Sequence, residues 1–181
     1  MRRWTFISCL FLLAVPASAQ DTRYGFAIGL AFPQADTNQL VDHKLGYAVG
    51  GQIALPLGDG HVLRPRLDLS VVTRKTDQGS SLSVTTGCVG ADYNRFVSGR
   101  ANEGFYLLVG LGYAVTTLSH TDLRFSPYNN LQSSQDQNAI ALAAGLGYQF
   151  NRTYGADLRY TTTKPGSFKN DAVNLSMVFQ F

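Results

Sequence analysis

Ser119, His120 and Asp122 place a nucleophile, a base and a carboxylate within one short stretch, the residue types of a hydrolytic triad. Three groups so close in one segment do not supply triad geometry, in which the base reaches the nucleophile with one ring nitrogen and the orienting carboxylate with the other. Gly110-Leu111-Gly112 is followed by neither a third glycine nor a lysine and sits inside an apolar alternation, so it does not open a phosphate loop. Asp36, Asp42, Asp77 and Asp136 are scattered without the spacing of a calcium loop. Of the two cysteines, Cys9 falls in the N-terminal apolar stretch, which leaves Cys88 without a partner for a disulfide. The expectation is a non-enzymatic chain with no catalytic residues, no metal and no cofactor.

The N-terminus reads as an address. Arg2 and Arg3 precede an apolar stretch from Trp4 to Val15, then Pro16, Ala17, Ser18 and Ala19, the three parts of a secretory signal with cleavage after Ala19. At about a dozen residues it is shorter than the roughly 20 a spanning helix needs. The expected mature domain is 20–181, with 13 Lys and Arg against 12 Asp and Glu. That balance, with no basic run, supplies no phosphate-binding face, so nucleic acid is not an expected partner.

The elements that must position any chemistry alternate with period two, and eight such segments follow in order. Residues 23–32 carry Tyr24, Phe26, Ile28, Leu30 and Phe32 on one face and Gly or Ala on the other. Segments 44–55 and 62–73 follow, the latter with Pro65 as a misfit because proline cannot donate to a ladder. In 82–93 the apolar phase changes, from Leu82, Val84 and Cys88 to Val89, Ala91 and Tyr93, and a bulge near Gly87 or Gly90 is expected. Segments 105–115, 140–150, 154–162 and 173–181 are regular. The echoes at 45–49 and 111–115, and at 110–113 and 145–148, are this small-and-large alternation recurring and not a solenoid period.

The connections alternate between short turns (56–61, 97–104, 151–152) and long polar stretches (33–43, 119–138), the asymmetry of periplasmic turns and external loops. That up-and-down arrangement places His61 in a periplasmic turn and His43 and His120 in external loops. Independently, it gathers Tyr24, Tyr93, Phe105, Phe150, Tyr154, Phe179 and Phe181 at the periplasmic rim, and Phe32, Tyr47 and Tyr160 towards the other. A soluble barrel would turn its polar face to water. Here the second face is mostly Gly and Ala, suited to the crowded lumen of eight strands. The fold expected is all-β: an eight-stranded antiparallel up-and-down transmembrane β-barrel.

Within that lumen Arg64, Arg66 and Asp68 on the third strand face Asp157 and Arg159 on the seventh, because strands four apart in an eight-membered ring are opposite. Buried charge is costly unless compensated, so a mutually neutralising network is expected.

The last eight residues, Asn174 to Phe181, run polar, any, Ser176, any, any, Phe179, any, Phe181, and with the strand pattern they resemble the C-terminal signal of bacterial outer-membrane barrels, Ser176 standing where the family has Gly. Over 20–181 the chain is similar to the small barrels of the OmpA/OmpX and opacity-protein type. The resemblance implies the bacterial outer membrane, lipid contact, a monomer, and recognition of Phe179 and Phe181 by the barrel-assembly machinery. Lipid A deacylases share this barrel and carry a His and a Ser on the seventh strand, where this chain has Arg159, Tyr160 and Thr161, so their chemistry is not carried over. The role expected is structural or surface-interaction, with a small pore or a lipid-modifying enzyme as alternatives. Phe125 and Tyr128, in the long 119–138 stretch, are the candidate anchors for a surface ligand whose identity the residues do not reveal.

Overall fold

A computed structural model describes residues 22–75, 81–97, 103–122, 131–164 and 168–181. The expected leader, 1–19, and the two loop anchors, Phe125 and Tyr128, lie outside the described residues. Eight antiparallel strands close into a barrel in sequence order, β1 (Arg23–Gln34), β2 (Gly46–Gly58), β3 (His61–Lys75), β4 (Ser81–Phe96), β5 (Gly104–Asp122), β6 (Leu131–Gln149), β7 (Tyr154–Thr163) and β8 (Asn170–Gln180). One short helix, α1 (Ala35–Leu40), follows β1. No helix among the described residues is long and apolar enough to cross a membrane. The strands cross instead: closure pairs each strand with a neighbour on both sides, the arrangement a hydrocarbon environment demands.

The apolar phase faces outward. Ile28, Val49, Leu67, Val89, Val109, Leu111, Leu142 and Leu158 are exposed on the barrel wall, while Ala27, Ala54, Ala114 and Ala141 are buried inside. Closure ends at the chain terminus, where Phe181 N donates to Tyr24 O at 2.9 Å and Tyr24 N to Phe181 O at 3.1 Å. Phe179 stacks on Phe26 at 4.8 Å between ring centroids. The two aromatic rims fall where the pattern put them, with exposed Tyr24, Tyr93, Phe105, Phe150, Tyr154 and Phe181 at one end and Tyr47 and Tyr160 towards the other.

Four local expectations differ from the structure. No bulge interrupts β4, whose register with β3 and β5 is unbroken from Ser81 to Phe96. Its apolar phase changes because the upper lumen is itself apolar: Val84 points inward against Val72 and Val41, whereas Val89 and Tyr93 point outward. The register shift occurs instead in β2, between Pro56 and Gly58. Pro65 stays in the wall, and pairing of β3 with β2 lapses beside it, between Gln52↔Arg66 and Leu55↔Leu63.

The third difference concerns 33–43, read as an external loop. Ala35, at φ 50°, turns the chain inward, and Asp42 and His43, at φ 54° and 59°, turn it back, so α1 folds into the barrel mouth. Thr37 and Val41 are buried there. The fourth concerns 119–138. Strands β5 and β6 continue through most of it and remain paired as far as Asp122↔Leu131, leaving 123–130 between them. Alternation fades here because beyond the bilayer the outer face becomes polar, and Thr117 Oγ1 donates to Asp136 Oδ1 at 2.7 Å where hydrophobic partners stood below.

Candidate functional site

The lumen is filled in layers, each specified by residues alternating inward from neighbouring strands. At the periplasmic end Ala54, Val62, Phe96, Tyr106 and Leu108 form a buried cluster. Arg64 belongs to this layer and not to the charged one expected for it. Its guanidinium lies 4.8 Å from the Tyr106 ring centroid and 5.8 Å from that of Phe96. With its amide oxygen turned to Arg64, Asn94 accepts from Nη1 at 2.8 Å and Nε at 3.0 Å. Gln149 and Gln180, each 1 % exposed, complete the floor.

Above it lies the charged layer. Arg66 donates from Nε and Nη2 to the two carboxylate oxygens of Asp68, at 2.7 and 2.6 Å, and from Nη1 to Asp92 Oδ2 at 2.8 Å. Arg159 crosses from the far wall to Asp92 Oδ1 at 2.8 Å and Asp68 Oδ2 at 3.4 Å. Two guanidiniums are thus bridged by two carboxylates, a fully compensated layer of the kind that burial requires. Asp157 is buried at 4 % exposure nearby, across from Ser176 on β8.

Asp92 was not singled out from sequence. Its signal was available: at an inward position of β4, it faces Gly110 across the ladder. A methyl on Gly110 would collide with Asp92 Oδ1, as one on Gly50 would with Asp68 Oδ1 and one on Gly147 with the Tyr106 ring. Asp92, Asp68 and Tyr106 are thus each accommodated by a glycine on a neighbouring strand.

Beyond the charged layer is a cavity of about 70 Å³ lined by Ser70, Thr86, Cys88, Thr161 and Asn174 among others, room for a few water molecules at most. Its ceiling is a polar cluster. Asn170 Nδ2 donates to Thr86 and Thr116 at 3.0 and 3.1 Å, and Thr37 of α1 donates to Asn170 Oδ1 at 2.8 Å. Val41, Val72 and Val84, with Leu40 and Leu118, close the mouth above it.

Among the described residues the candidate triad types do not meet. Ser119 and His120 are successive residues of β5 and project to opposite faces of the strand, so the triad types do not converge. His61 sits beside Tyr93, its Nδ1 against the phenol oxygen, at the periplasmic rim. At the outer rim Tyr160 and Thr162 donate to Asp171 at 2.5 and 2.7 Å. Lys169 pairs with the same carboxylate at 3.0 Å, and that hydrogen bond, then the charge, holds its ammonium above the ordinary lysine value. Among the described residues no group of His, Cys, Asp and Glu has the arrangement of a metal site.

A closed eight-stranded barrel with a lipid-facing apolar wall, two aromatic rims and a filled lumen defines a small integral protein of the bacterial outer membrane. The chain belongs to the family of the outer membrane protein beta-barrel domain, which matches residues 5–181. No curated protein sequence matches it. Its fold is similar to Ail, the attachment invasion locus protein of Yersinia pestis, solved in complex with the heparin analogue sucrose octasulfate (TM-score 0.66, 15 % identity, 89 % of this chain and 99 % of that one). Neisserial surface protein A is similar at TM-score 0.60 and 12 % identity, over 88 % of this chain and 97 % of that one. The N-terminal barrel of Pseudomonas aeruginosa OprF follows at 0.50 and 18 %, over 90 % and 98 %.

Proposed function

We propose that the protein is a non-conducting, non-enzymatic platform that presents its external end to surface partners, folded as a monomer through recognition of Phe179 and Phe181 at the C-terminal strand. The observation that carries this reading is the stack of lumen layers from Phe96 and Tyr106 to Val41 and Leu118, with a cavity of only about 70 Å³ between the charged layer and the polar ceiling. A lumen filled in this way supports a barrel that does not conduct, and leaves the outer end of the chain to meet the environment. There β5 and β6 stay paired beyond Tyr113 and Ile140 as far as Asp122 and Leu131, and loops on rigid scaffolds are the usual carriers of binding.

Binding of a sulfated polysaccharide analogue, as in Ail, is not carried over. Two cations at this end are paired with acids, Arg74 with Asp42 at 3.9 Å and Lys169 with Asp171 at 3.0 Å, so neither offers an unpaired charge to a polyanion. The test is replacement of residues 123–130, which include Phe125 and Tyr128, by a short Gly/Ser link. Loop closure costs little, so the barrel should fold and show its heat-shifted gel band, while surface attachment of cells displaying it should fall. Full attachment by the loopless protein would move the assignment away from that loop.

A further inference from the structure

After β1 the chain leaves the wall and enters the barrel mouth, at a cost in backbone conformation. Ala35, Asp42 and His43 bracket α1 at φ 50°, 54° and 59°, a region uncommon for residues other than glycine and less tolerated by alanine than by Asp or His. The helix between them is six residues long and no side chain caps its N-terminus, so little in its own sequence holds it. What holds it is a small set of contacts with the barrel. Thr37 Oγ1 donates to Asn170 Oδ1 at 2.8 Å, Lys169 N to Asp36 Oδ2 at 2.8 Å and Arg74 Nη1 to Leu40 O at 3.5 Å, while Val41 packs against Val72 and Val84. A segment with strained ends and few anchors opens more readily than the ladders around it.

Beneath α1 lies the cavity of about 70 Å³, lined by Ser70, Cys88, Arg159, Thr161, Asn174 and Ser176 among others. Two of these side chains are incomplete. Arg159 Nε and Asn174 Oδ1 are buried with no hydrogen-bond partner among the described residues, and Arg159 is only 6 % exposed. The two residues are direct partners across the β7–β8 ladder, so an orphan donor and an orphan acceptor stand side by side on one wall of the cavity. Each is costly alone, and one molecule that accepts from the first and donates to the second satisfies both. Charge is not what the site lacks. Arg66 and Arg159 are already bridged by Asp68 and Asp92, so an added ion would be desolvated there without a counter-charge. At about 30 Å³ for each water, the space suits an uncharged solute of about four non-hydrogen atoms.

We propose that this cavity is a binding cup for a small uncharged solute of amide type, and that α1 is the lid that admits it from the external side. The solute's carbonyl oxygen accepts from Arg159 Nε and its N–H donates to Asn174 Oδ1. The cup is blind, because the charged layer and the cluster of Phe96 and Tyr106 lie below it, so the solute is held and not passed through. Entry requires Thr37 to release Asn170. Asn170 also donates to Thr86 and Thr116, so its position does not depend on α1, and the lid can leave without dismantling the polar cluster beneath it.

Cys88 lines the cup and is the only cysteine of 20–181, so its modification reads both lid opening and occupancy. The barrel in lipid nanodiscs is treated with methyl methanethiosulfonate and the rate of Cys88 modification is followed by mass spectrometry, with glutathione in the same solutions as the reference for the reagent. Acetamide and acetate, equal in size and different in charge, are the probes. Thr37→Val removes the latching hydroxyl at nearly constant volume and Thr37→Ser keeps it, a heat-shifted gel band verifying that each variant is folded. T37V should raise the rate at least fivefold while T37S stays near the unmodified barrel, and acetamide should slow modification at least threefold and saturably while acetate does not. No modification of the folded barrel under conditions that label the urea-unfolded chain, or equal rates in T37V and the unmodified barrel, overturns the lid. Equal protection by acetamide and acetate, or protection by neither, overturns the cup. No arm reads surface attachment, so each of these failures is distinct from a failure of the platform reading.

Discussion

Replacing Asp92 with Ala should be among the most damaging single changes in the barrel. Its carboxylate is 2 % exposed and accepts from Arg66 and Arg159, both at 2.8 Å. Removing it leaves two guanidiniums competing for Asp68 in a space that water cannot freely enter, and breaking a buried charge pair from one side costs about 3–5 kcal/mol. Asp68→Ala should cost less, about 1.5–3 kcal/mol as for hydrogen bonds to charged groups, because Asp68 is 24 % exposed and Asp92 still bridges both arginines. Replacing the whole layer together (R66M, D68L, D92L, R159M, with D157N so that the neighbouring buried carboxylate is not left unpaired) should be close to neutral, since a layer without charge needs no compensation. The assay is urea titration of each protein folded into phosphatidylcholine vesicles. It is best followed by circular dichroism and gel mobility, because the one tryptophan, Trp4, lies in the expected leader. A loss below about 1 kcal/mol for Asp92→Ala, or a larger loss for Asp68→Ala, would refute the account of the charged layer.

Three further outcomes follow from the same geometry. Gly147→Val drives a side chain into the buried Tyr106 ring and should cost about 1–3 kcal/mol by overpacking, whereas Gly51→Val, with nothing within 4 Å, should be tolerated in the same urea titration. The purified protein in planar bilayers should give no stable nanosiemens steps, and reproducible steps of that size would show that the lumen layers open. Deleting Phe181 removes two closing backbone bonds to Tyr24, worth about 1–3 kcal/mol together, so refolding in vitro should be little changed while outer-membrane yield in cells falls. Equal yields in cells would remove the assembly role from the terminal aromatic.

The wall was legible because lipid enforces one rule on it: Ile28, Val49, Leu67 and Val109 must be apolar whatever the protein does. That rule weakens where the lipid ends. Thr117, Asp136 and Asn138 carry no hydrophobic signal, and so the upper halves of β5 and β6 read as a loop although the ladder continues through them. At the mouth the rule inverts, and Val84 looked like a phase error because an apolar side chain pointing inward meets Val41 of a loop that no alternation can place. The charged layer was half visible. Arg66, Asp68 and Arg159 sit together, but pairing four strands apart identified only one bridging carboxylate, and Arg64, two residues from Arg66 on the same face, went to the aromatic floor, where its guanidinium meets Tyr106 and Asn94.

The repeated Gly-Leu-Gly-Tyr stretches at 110–113 and 145–148 acquire their meaning only at this level. Gly110 clears space for Asp92, and Gly147 for Tyr106, while Gly145 lies against the backbone of Leu158 and Arg159. Small residues are therefore matched, strand by strand, to the large polar ones that fill the lumen, and enlarging a glycine or shrinking its partner should each open or strain the plug. A wall specified by lipid and a lumen specified by such pairs leave little freedom within the belt. The rows of residues held by neither constraint are those above Tyr113 and Ile140, where, among the described residues, β6 is paired on one edge only. That is where a sequence of this kind can change its partners without losing its fold.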